Sequence, residues 1–158
     1  MDDAFWCVTW EPAAQEILRR IKEEATALGD HFLGTPHLLL AAVALTPADH
    51  HGIAVLNHAT VRSAVLAAAK PRDPEGMMIS RWGQTPRLKL AIERAMQRAF
   101  QRLRPVRGSD IWHGLLADPE SEVATVLRQL GVRVEDLRSA IAEKPIAADT
   151  WPTRPCAS

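Results

Sequence analysis

The residue types that could carry out catalysis or bind a metal ion occur in this chain without the spacing that either role requires. Cys7 and Cys156 lie near opposite ends and match no metal-binding or redox pattern. No HExxH, CxxC or GxSxG motif is present. The sequence therefore predicts no metal, no cofactor and no enzymatic activity. Structural or solvent-exposed roles are expected for the six histidines, which are His31, His37, His50, His51, His58 and His113.

A row of arginines is the stronger candidate for chemistry. Residues 81–107 contain eight basic residues and a single acidic one, Glu93, which gives a local charge of +7. Guanidinium groups form bidentate pairs with carboxylates and phosphates. Two interpretations are open: a solvated helix face partly paired with acids such as Glu135 and Asp136, or an anionic-partner face that binds an acidic or phosphorylated protein. The arginines at helical spacing in this row are Arg87, Arg94, Arg98 and Arg102.

The composition of the whole chain limits the classes of function. The chain has 158 residues, 47% of them hydrophobic, which is enough for one domain with its own core. Nineteen basic and nineteen acidic residues cancel, which argues against nucleic-acid binding through overall charge. The N-terminus lacks a basic and apolar leader, and the longest apolar run, 38–45, is too short to cross a membrane. These observations predict a cytoplasmic protein without membrane contact.

Helical periodicity runs through the elements that must position these side chains. Residues 12–28 and 86–103 carry their apolar side chains on one face, and 36–45 is apolar on nearly all sides, which predicts a buried helix. No segment alternates with period two for long, so strands are not expected and the predicted class is all-α. Shorter helices are predicted at 50–58, 61–69, 110–117, 120–130 and 134–143.

An internal repeat relates the two halves of the chain. The segment LGDHFLGTPHLLLAAV at 28–43 returns in degenerate form as LRPVRGSDIWHGLL at 103–116. Two copies indicate a compact pseudo-twofold bundle of eight helices, four in each repeat, because solenoids usually need three or more copies. Flanking residues extend the match, with 54–56, Val61-Arg62 and Leu66 aligned to 125–127, Val132-Arg133 and Leu137.

Both copies of the repeat predict the start of a helix. Thr35 is expected to cap a helix that Pro36 opens, and Ser109 or Asp110 is expected to cap the corresponding helix of the second copy. The chain is expected to divide into an N-terminal arm over the first helix (1–11), a first repeat (12–69), a connection (70–85), a second repeat (86–143) and a C-terminal tail (144–158).

Three stretches of the chain resemble the signatures of the Clp N-terminal domain. LGDHFLGTPHLLLAAV is similar to LGHxx(I/V)GTEH(I/L)LLGL, QTPRLKLAIERA to FTPRAKKVLELA, and GVRVEDLRSAI to LGVxxxx(L/V)R. The resemblance covers residues 10–143 and implies the eight-helix bundle of Clp N domains, which receive adaptors and substrates for Clp-type AAA+ unfoldases. No glycine precedes a lysine, so the P-loop of the Clp ATPase modules is missing and the resemblance is to a stand-alone N domain.

The resemblance also implies a binding site at the two helix starts. In ClpC-type domains the Glu of each GTEH motif helps to bind phosphorylated arginine, but Pro36 and Ser109 occupy these positions here. Trp82 and the apolar residues 77–79 form either a lid over the groove between the repeats or part of a partner contact. The predicted peptide- or partner-binding residues are Leu33, Gly34, Thr35, Pro36, Trp82, Arg107, Ser109 and Asp110.

The function implied by the resemblance is that of a non-enzymatic protein- or peptide-binding module. It would act as an adaptor, modulator or substrate-binding factor of a Clp unfoldase system, and its partner would be a Clp ATPase, an adaptor or an unfolded client. The alternative is a sequestration or resistance protein, because family N domains are targets of cyclic-peptide antibiotics that a free copy would titrate. Nucleic-acid binding through the arginine row ranks below both.

Overall fold

The computed structural model describes residues 9–45, 56–68 and 83–141, and these ranges contain seven helices and two very short strands. The predicted all-α class is confirmed. The helices are α1 (Pro12–Ala27), α2 (Thr35–Leu45), α3 (His58–Ala67), α4 (Pro86–Gln101), α5 (Gly108–Leu116), α6 (Glu122–Gln129) and α7 (Val134–Ala140). The strands are β1 (Phe32–Leu33) and β2 (Gly83–Gln84).

The helices of the described ranges follow the predicted periodicity closely. Helix α3 begins three residues before its predicted start at 61 because Asn57 caps it: its Oδ1 accepts a hydrogen bond from the Thr60 N–H at 2.9 Å. The predicted helix at 50–58 falls mostly on residues outside the described ranges. The arrangement of eight helices in two repeats therefore stays a prediction, as does the division into arm, repeats, connection and tail.

The alignment of Val61 and Leu66 with Val132 and Leu137 is wrong, whereas residues 54 and 55 of the same alignment lie outside the described ranges. Val61 lies inside α3, whereas Val132 precedes α7, so the two valines occupy different parts of their helices. Leu66 is 42% exposed, whereas Leu137 is fully buried. Similar residue types at similar spacing produced this alignment. The positions at which α3 and α7 begin require a different alignment of the two segments.

Two short parallel pairings join the halves of the described chain, which corrects the expectation that strands are absent. Strand β1 pairs with β2, and the Thr85 N–H donates to the carbonyl oxygen of Leu33 at 2.9 Å. Trp10 forms a parallel bridge with Val106, and the Glu11 N–H donates to the Val106 carbonyl oxygen at 2.9 Å.

These pairings also place the described end of the predicted N-terminal arm. Thr9 to Glu11 lie along Val106. Residues 1–8 are outside the described ranges, so the position of the arm as a whole stays a prediction. Both pairings follow one scheme. The segment before α1 joins the loop that precedes α5, and the segment before α4 joins the loop that precedes α2.

The core is built around two helix pairs, with α1 packed on α2 and α4 packed on α5. Helix α2 is buried on nearly all sides, as its sequence predicted, and contacts α4, α5 and α6. Trp112 on α5 is fully buried in the same core. Helices α4 and α5 come very close at Gly114, where a Cβ atom would lie 2.3 Å from the carbonyl oxygen of Ala91. No helix within the described ranges is long and apolar enough to span a membrane.

Candidate functional site

The start of α2 is organised by a buried histidine. The Gly34 N–H donates to Nδ1 of His37 at 2.9 Å, and Nε2 of His37 lies 2.7 Å from Oδ2 of Asp30. His37 therefore satisfies the backbone donor at the helix start, which corrects the prediction that Thr35 caps α2. Thr35 is instead the first residue of the helix, and its side chain is almost completely buried.

The start of α5 is organised in the same way by a buried aspartate. The Arg107 N–H donates to Oδ2 of Asp110 at 2.9 Å, so Asp110 satisfies the helix start from its third position. The predicted cap at Ser109 or Asp110 is wrong, because α5 already begins at Gly108 and Arg107 is its N-cap. Both Asp110 oxygens also accept hydrogen bonds from Arg104, and Arg98 Nε lies 3.2 Å from Oδ1. Asp110 is fully buried, so this side chain serves the fold and does not face a partner.

The two helix starts match residue by residue, but their charges are reversed. The Asp30 N–H donates to the carbonyl oxygen of Ala25, and the Arg104 N–H donates to that of Ala99. Each loop residue then pairs with the third residue of the next helix, which is His37 in one half and Asp110 in the other. An acid in the loop of the first half thus corresponds to a base in the loop of the second.

A groove of about 270 Å³ lies beside the start of α2. It brings together parts of the chain that are far apart in sequence: the loop before α2, the start of α4 and the segment that leads into α6. Its lining residues are Phe32, Gly34, Thr35, Pro36, Thr85, Arg87, Glu120 and Glu122. We call this feature the α2 groove.

Thr35 and Thr85 line the α2 groove with different hydrogen bonding. The Oγ1 of Thr85 accepts a hydrogen bond from the Leu88 N–H at 3.1 Å and so caps α4. Thr35 is 6% exposed as a residue, and no hydrogen bond joins its hydroxyl to another described residue. Its oxygen is not among the buried side-chain atoms that lack a partner, so it stays in contact with solvent. A hydroxyl in this position can form a hydrogen bond to a ligand that enters the groove.

Among the described residues, the charged side chains that line the α2 groove are Arg87, Glu120 and Glu122. Glu122 also interacts within the molecule. Arg87 forms an ion pair with Asp118, with Nη1 and Oδ2 2.5 Å apart. Glu120 and Glu122 are both exposed at the start of α6. Ser121 between them caps this helix, because its Oγ accepts the Ala124 N–H at 3.2 Å. The cap fixes where the helix begins and hence where the two carboxylates stand.

The predicted binding residues divide between this groove and the interior. Gly34, Thr35 and Pro36 line the groove. Leu33 does not line it, but its carbonyl oxygen accepts a hydrogen bond from the N–H of the lining residue Thr85. The residues of the second helix start do not line it. Ser109 is 8% exposed, Arg107 pairs with Glu11 through Nε and Oε1 at 3.0 Å, and Trp82 lies outside the described ranges.

Sequence reasoning missed Thr85, Glu120 and Glu122. A proline after Thr85 and a serine between the two glutamates do signal helix starts. Nothing in the sequence says that the start of α6 stands opposite Pro36, because that depends on how α6 packs against α2.

The arginine face of α4 is partly neutralised by contacts within the chain. Arg87 pairs with Asp118 and Arg98 with Asp110, so these two acids, which the sequence did not single out as partners, hold two of the four guanidinium groups. Arg94 is partly buried, and Arg102 is exposed but also interacts within the molecule.

His113 on α5 lies close to the same positive charges. Burial lowers its pKa from 6.5 to about 4, and the neighbouring Arg98 guanidinium acts in the same direction. Its Nε2 is buried without a hydrogen-bond partner among the described residues. His113 is therefore neutral at pH 7. Within the described ranges, no group of three or more histidine, cysteine, aspartate or glutamate side chains could hold a metal ion.

A second groove, of about 280 Å³, lies at the other end of the second half between α5, α6 and α7. The guanidinium of Arg138 crosses it and donates to the carbonyl oxygen of Leu116 at 3.0 Å. It contains none of the predicted binding residues.

Known proteins share this fold. A crystal structure of the N-terminal domain of the caseinolytic protease associated chaperone ClpD from Arabidopsis thaliana superimposes with a TM-score of 0.73 at 20% identity, covering 84% of this chain and 91% of that one. The Hsp104 N-terminal domain from Candida albicans gives a TM-score of 0.61 at 16% identity, covering 85% and 90%.

The sequence itself is similar to a curated protein of Bacillus subtilis, the negative regulator of genetic competence ClpC/MecB. The two are 30% identical over 138 residues, which cover 82% of this chain. The chain spans 16% of the length of that relative. No family model matches the sequence. The resemblance seen in the sequence signatures is confirmed by these likenesses, and the described residues share the fold of the ClpD and Hsp104 N-terminal domains.

Proposed function

We propose that this domain is a non-enzymatic binding module that receives a segment of a partner protein in the α2 groove. The observation that carries the proposal is the groove itself, where the Thr35 hydroxyl makes no hydrogen bond to another described residue and stays in contact with solvent. Phe32 and Pro36 add apolar surface beside it. The lining thus combines apolar surface from two side chains with polar groups that can orient a bound segment.

The partner that we propose belongs to a Clp unfoldase system. The similar protein ClpD is a chaperone associated with a caseinolytic protease, and the similar protein ClpC/MecB is a negative regulator of genetic competence. By analogy, this domain serves as an adaptor, modulator or substrate-binding factor that contacts an unfolded client, an adaptor or the Clp ATPase itself. The analogy rests on shared fold and partial sequence identity, and the α2 groove supplies the contact surface.

The test measures binding of two probes by fluorescence anisotropy. One probe is fluorescein-labelled casein, which is an unfolded protein, and the other is the fluorescein-labelled Clp ATPase from the same organism. The variant Gly34→Leu adds a side chain inside the groove, where the first new atom would make ordinary contacts at 3.4 Å with Phe32 and Pro36. Its control is Ala67→Leu, which adds similar bulk at an exposed position on α3 that does not line the groove.

We expect wild type and Ala67→Leu to bind at least one of the two probes, and Gly34→Leu to bind about tenfold more weakly or not at all. Circular dichroism checks that both variants are folded. Equal binding by all three proteins would remove the α2 groove from the proposal. Failure of the wild type to bind either probe, together with thermal stabilisation by a cyclic peptide, would favour the sequestration alternative.

A further inference from the structure

We propose that an exposed apolar patch at the end of α4 is the docking surface for the N-terminal segment of the same chain, residues 1–8, which lies outside the described ranges. The patch is a different surface from the α2 groove, because none of its residues lines that groove. The inference therefore does not depend on the proposed function. The members of this α4 patch are Met96, Phe100 and Leu103.

The α4 patch is apolar and open to solvent. Phe100 is 46% exposed and Leu103 is 75% exposed, while Met96 is half-buried. Met96 and Phe100 are four residues apart and are therefore neighbours on the helix surface, and Leu103 follows just after the helix end. A row of apolar side chains in water is unfavourable, so a contact that covers it gains free energy.

The first half of the chain has no such patch at the corresponding turn. The Leu103 N–H donates to the carbonyl oxygen of Phe100 at 3.0 Å. The Gly29 N–H donates to that of Thr26 at the same distance, so glycine and threonine stand where the second half has leucine and phenylalanine.

The backbone of this turn makes the leucine more informative. The φ angle is 76° at Gly29 and 55° at Leu103, so both residues adopt the left-handed conformation. Glycine adopts it without a steric penalty, whereas leucine does not. The turn therefore does not require Leu103, and neither does the core, since the side chain is mostly exposed. A contact with another segment explains why an apolar side chain stands there.

The pairing before α1 brings the N-terminal segment to this patch. The Val106 N–H donates to the carbonyl oxygen of Thr9 at 2.8 Å, and Trp10 bridges Val106 in the parallel sense. In a parallel pairing, the residues before Thr9 leave on the same side as the residues before Val106, and Leu103 is three of these residues away. The four residues from Thr9 back to Phe5 reach up to about 14 Å when extended, which is enough to arrive at the patch.

The residue types of the segment suit an apolar docking surface. Residues 5–8 read FWCV, so four apolar residues, two of them aromatic, come directly before the described chain. Aromatic rings bury a large apolar area and pack well on other rings and on methionine sulfur. Phe5 and Trp6 are therefore the residues that we place on the α4 patch.

The size of the patch favours this segment over a second copy of the chain. Phe100 and Leu103 together expose an area on the order of 200 Å². A stable interface between two proteins buries about 800 Å² on each partner. A segment attached beside the patch needs far less contact, because its attachment gives it a high effective concentration there.

The experiment uses NMR of the full chain with isotope-labelled leucine methyl groups. We expect nuclear Overhauser contacts between the Leu103 methyl groups and the aromatic protons of Phe5 and Trp6. In the double variant Phe5→Ala/Trp6→Ala, the Leu103 methyl signals should shift because the ring currents are lost. The internal control is Leu90, which is also on α4 and is 41% exposed but does not belong to the patch. Its methyl signals should stay in place.

A converse variant removes the patch and leaves the segment intact. Leu103→Gly should fold, because glycine suits the positive φ at this position. The signal of the Trp6 indole N–H should shift in this variant. It should not shift in the matched control Leu90→Ala, which removes a similarly apolar side chain elsewhere on the helix.

Three outcomes would overturn the inference. The first is the absence of contacts from Leu103 to Phe5 and Trp6, together with unchanged Leu103 signals in the double variant. The second is contact of these aromatic residues with Leu18 on α1, which would support the arm position predicted from the sequence. The third is contact between Leu103 and another molecule in a mixture of labelled and unlabelled chains, which would make the α4 patch a dimer interface.

Discussion

The Nε2 of His37 lies 2.7 Å from Oδ2 of Asp30, and both side chains are nearly inaccessible to solvent. The same position in the second half holds Arg104 and Asp110 with acid and base exchanged. The two helix starts thus use one backbone arrangement with opposite charge patterns. The α2 groove lies beside the start in the first half, and the residues that organise the start in the second half do not line it.

The buried pair of Asp110 and Arg104 should be important for stability. We expect Asp110→Asn to lower the free energy of unfolding by about 3–5 kcal/mol, because Arg104 would remain buried without its counter-charge. Urea denaturation measures the change. Arg107→Ala is the control: its ion pair with Glu11 is partly exposed, and its loss should cost about 1 kcal/mol or less. Similar losses in both variants would show that burial of the pair is unimportant.

Gly114 should not tolerate even a methyl group. A Cβ atom there would lie 2.3 Å from the backbone oxygen of Ala91, and a backbone atom cannot move aside as the end of a side chain can. We expect Gly114→Ala to destabilise the domain by about 1–3 kcal/mol. In the matched change Gly34→Ala the new atom makes only ordinary contacts, so its effect should be smaller. Thermal melts of the two variants side by side decide the point.

The stability of the domain should depend on pH through His113. Its pKa is lowered to about 4 in the folded state, so between pH 6.5 and pH 4 the unfolded chain binds a proton that the folded chain does not. Acidification through this window therefore destabilises the fold. The contribution is on the order of 2–3 kcal/mol and is fully lost only below about pH 4.

The variant His113→Phe separates this effect from the titration of carboxylates. Phenylalanine keeps a planar ring of similar size but does not bind a proton. The free energy of unfolding of wild type should fall more steeply than that of the variant between pH 6.5 and pH 4. Parallel pH profiles for the two proteins would contradict the prediction.

The cap of α6 should link stability to the α2 groove. Ser121→Ala removes the acceptor for the Ala124 N–H and should cost about 1 kcal/mol. Since this residue stands between Glu120 and Glu122, which line the α2 groove, affinity for the casein probe should also fall. The control is Ser139→Ala, whose exposed hydroxyl bonds to the carbonyl oxygen of Glu135 within a helix. It should change neither quantity appreciably.

Periodicity made most of the helices predictable. The apolar spacing in 12–28 and 86–103 identified α1 and α4 nearly to the residue, because each has one buried face. The predicted cap of α2 is wrong. In the sequence, both Thr35 and His37 are close enough to the helix start to accept a hydrogen bond from its backbone N–H groups. Only the tertiary structure, which buries His37 against Asp30, decides between them.

The candidate site was predictable on one side only. Gly34 to Pro36 could be located from the family-like signature, because that stretch is continuous in sequence. The opposite wall, with Glu120 and Glu122, depends on how α6 packs against α2, which no local pattern encodes. The arginine row was visible in the sequence, but its internal partners Asp110 and Asp118 were not, because both lie on later elements.

The exchange of short pairings between the halves has a consequence for folding. The segment before α1 pairs with the loop before α5, and the segment before α4 pairs with the loop before α2. Each half therefore contributes a short backbone pairing to the other half, and depends on the other for the backbone pairing beside its own helix start. The domain should consequently melt as one cooperative unit, and two fragments cut between the halves should regain their structure only when mixed.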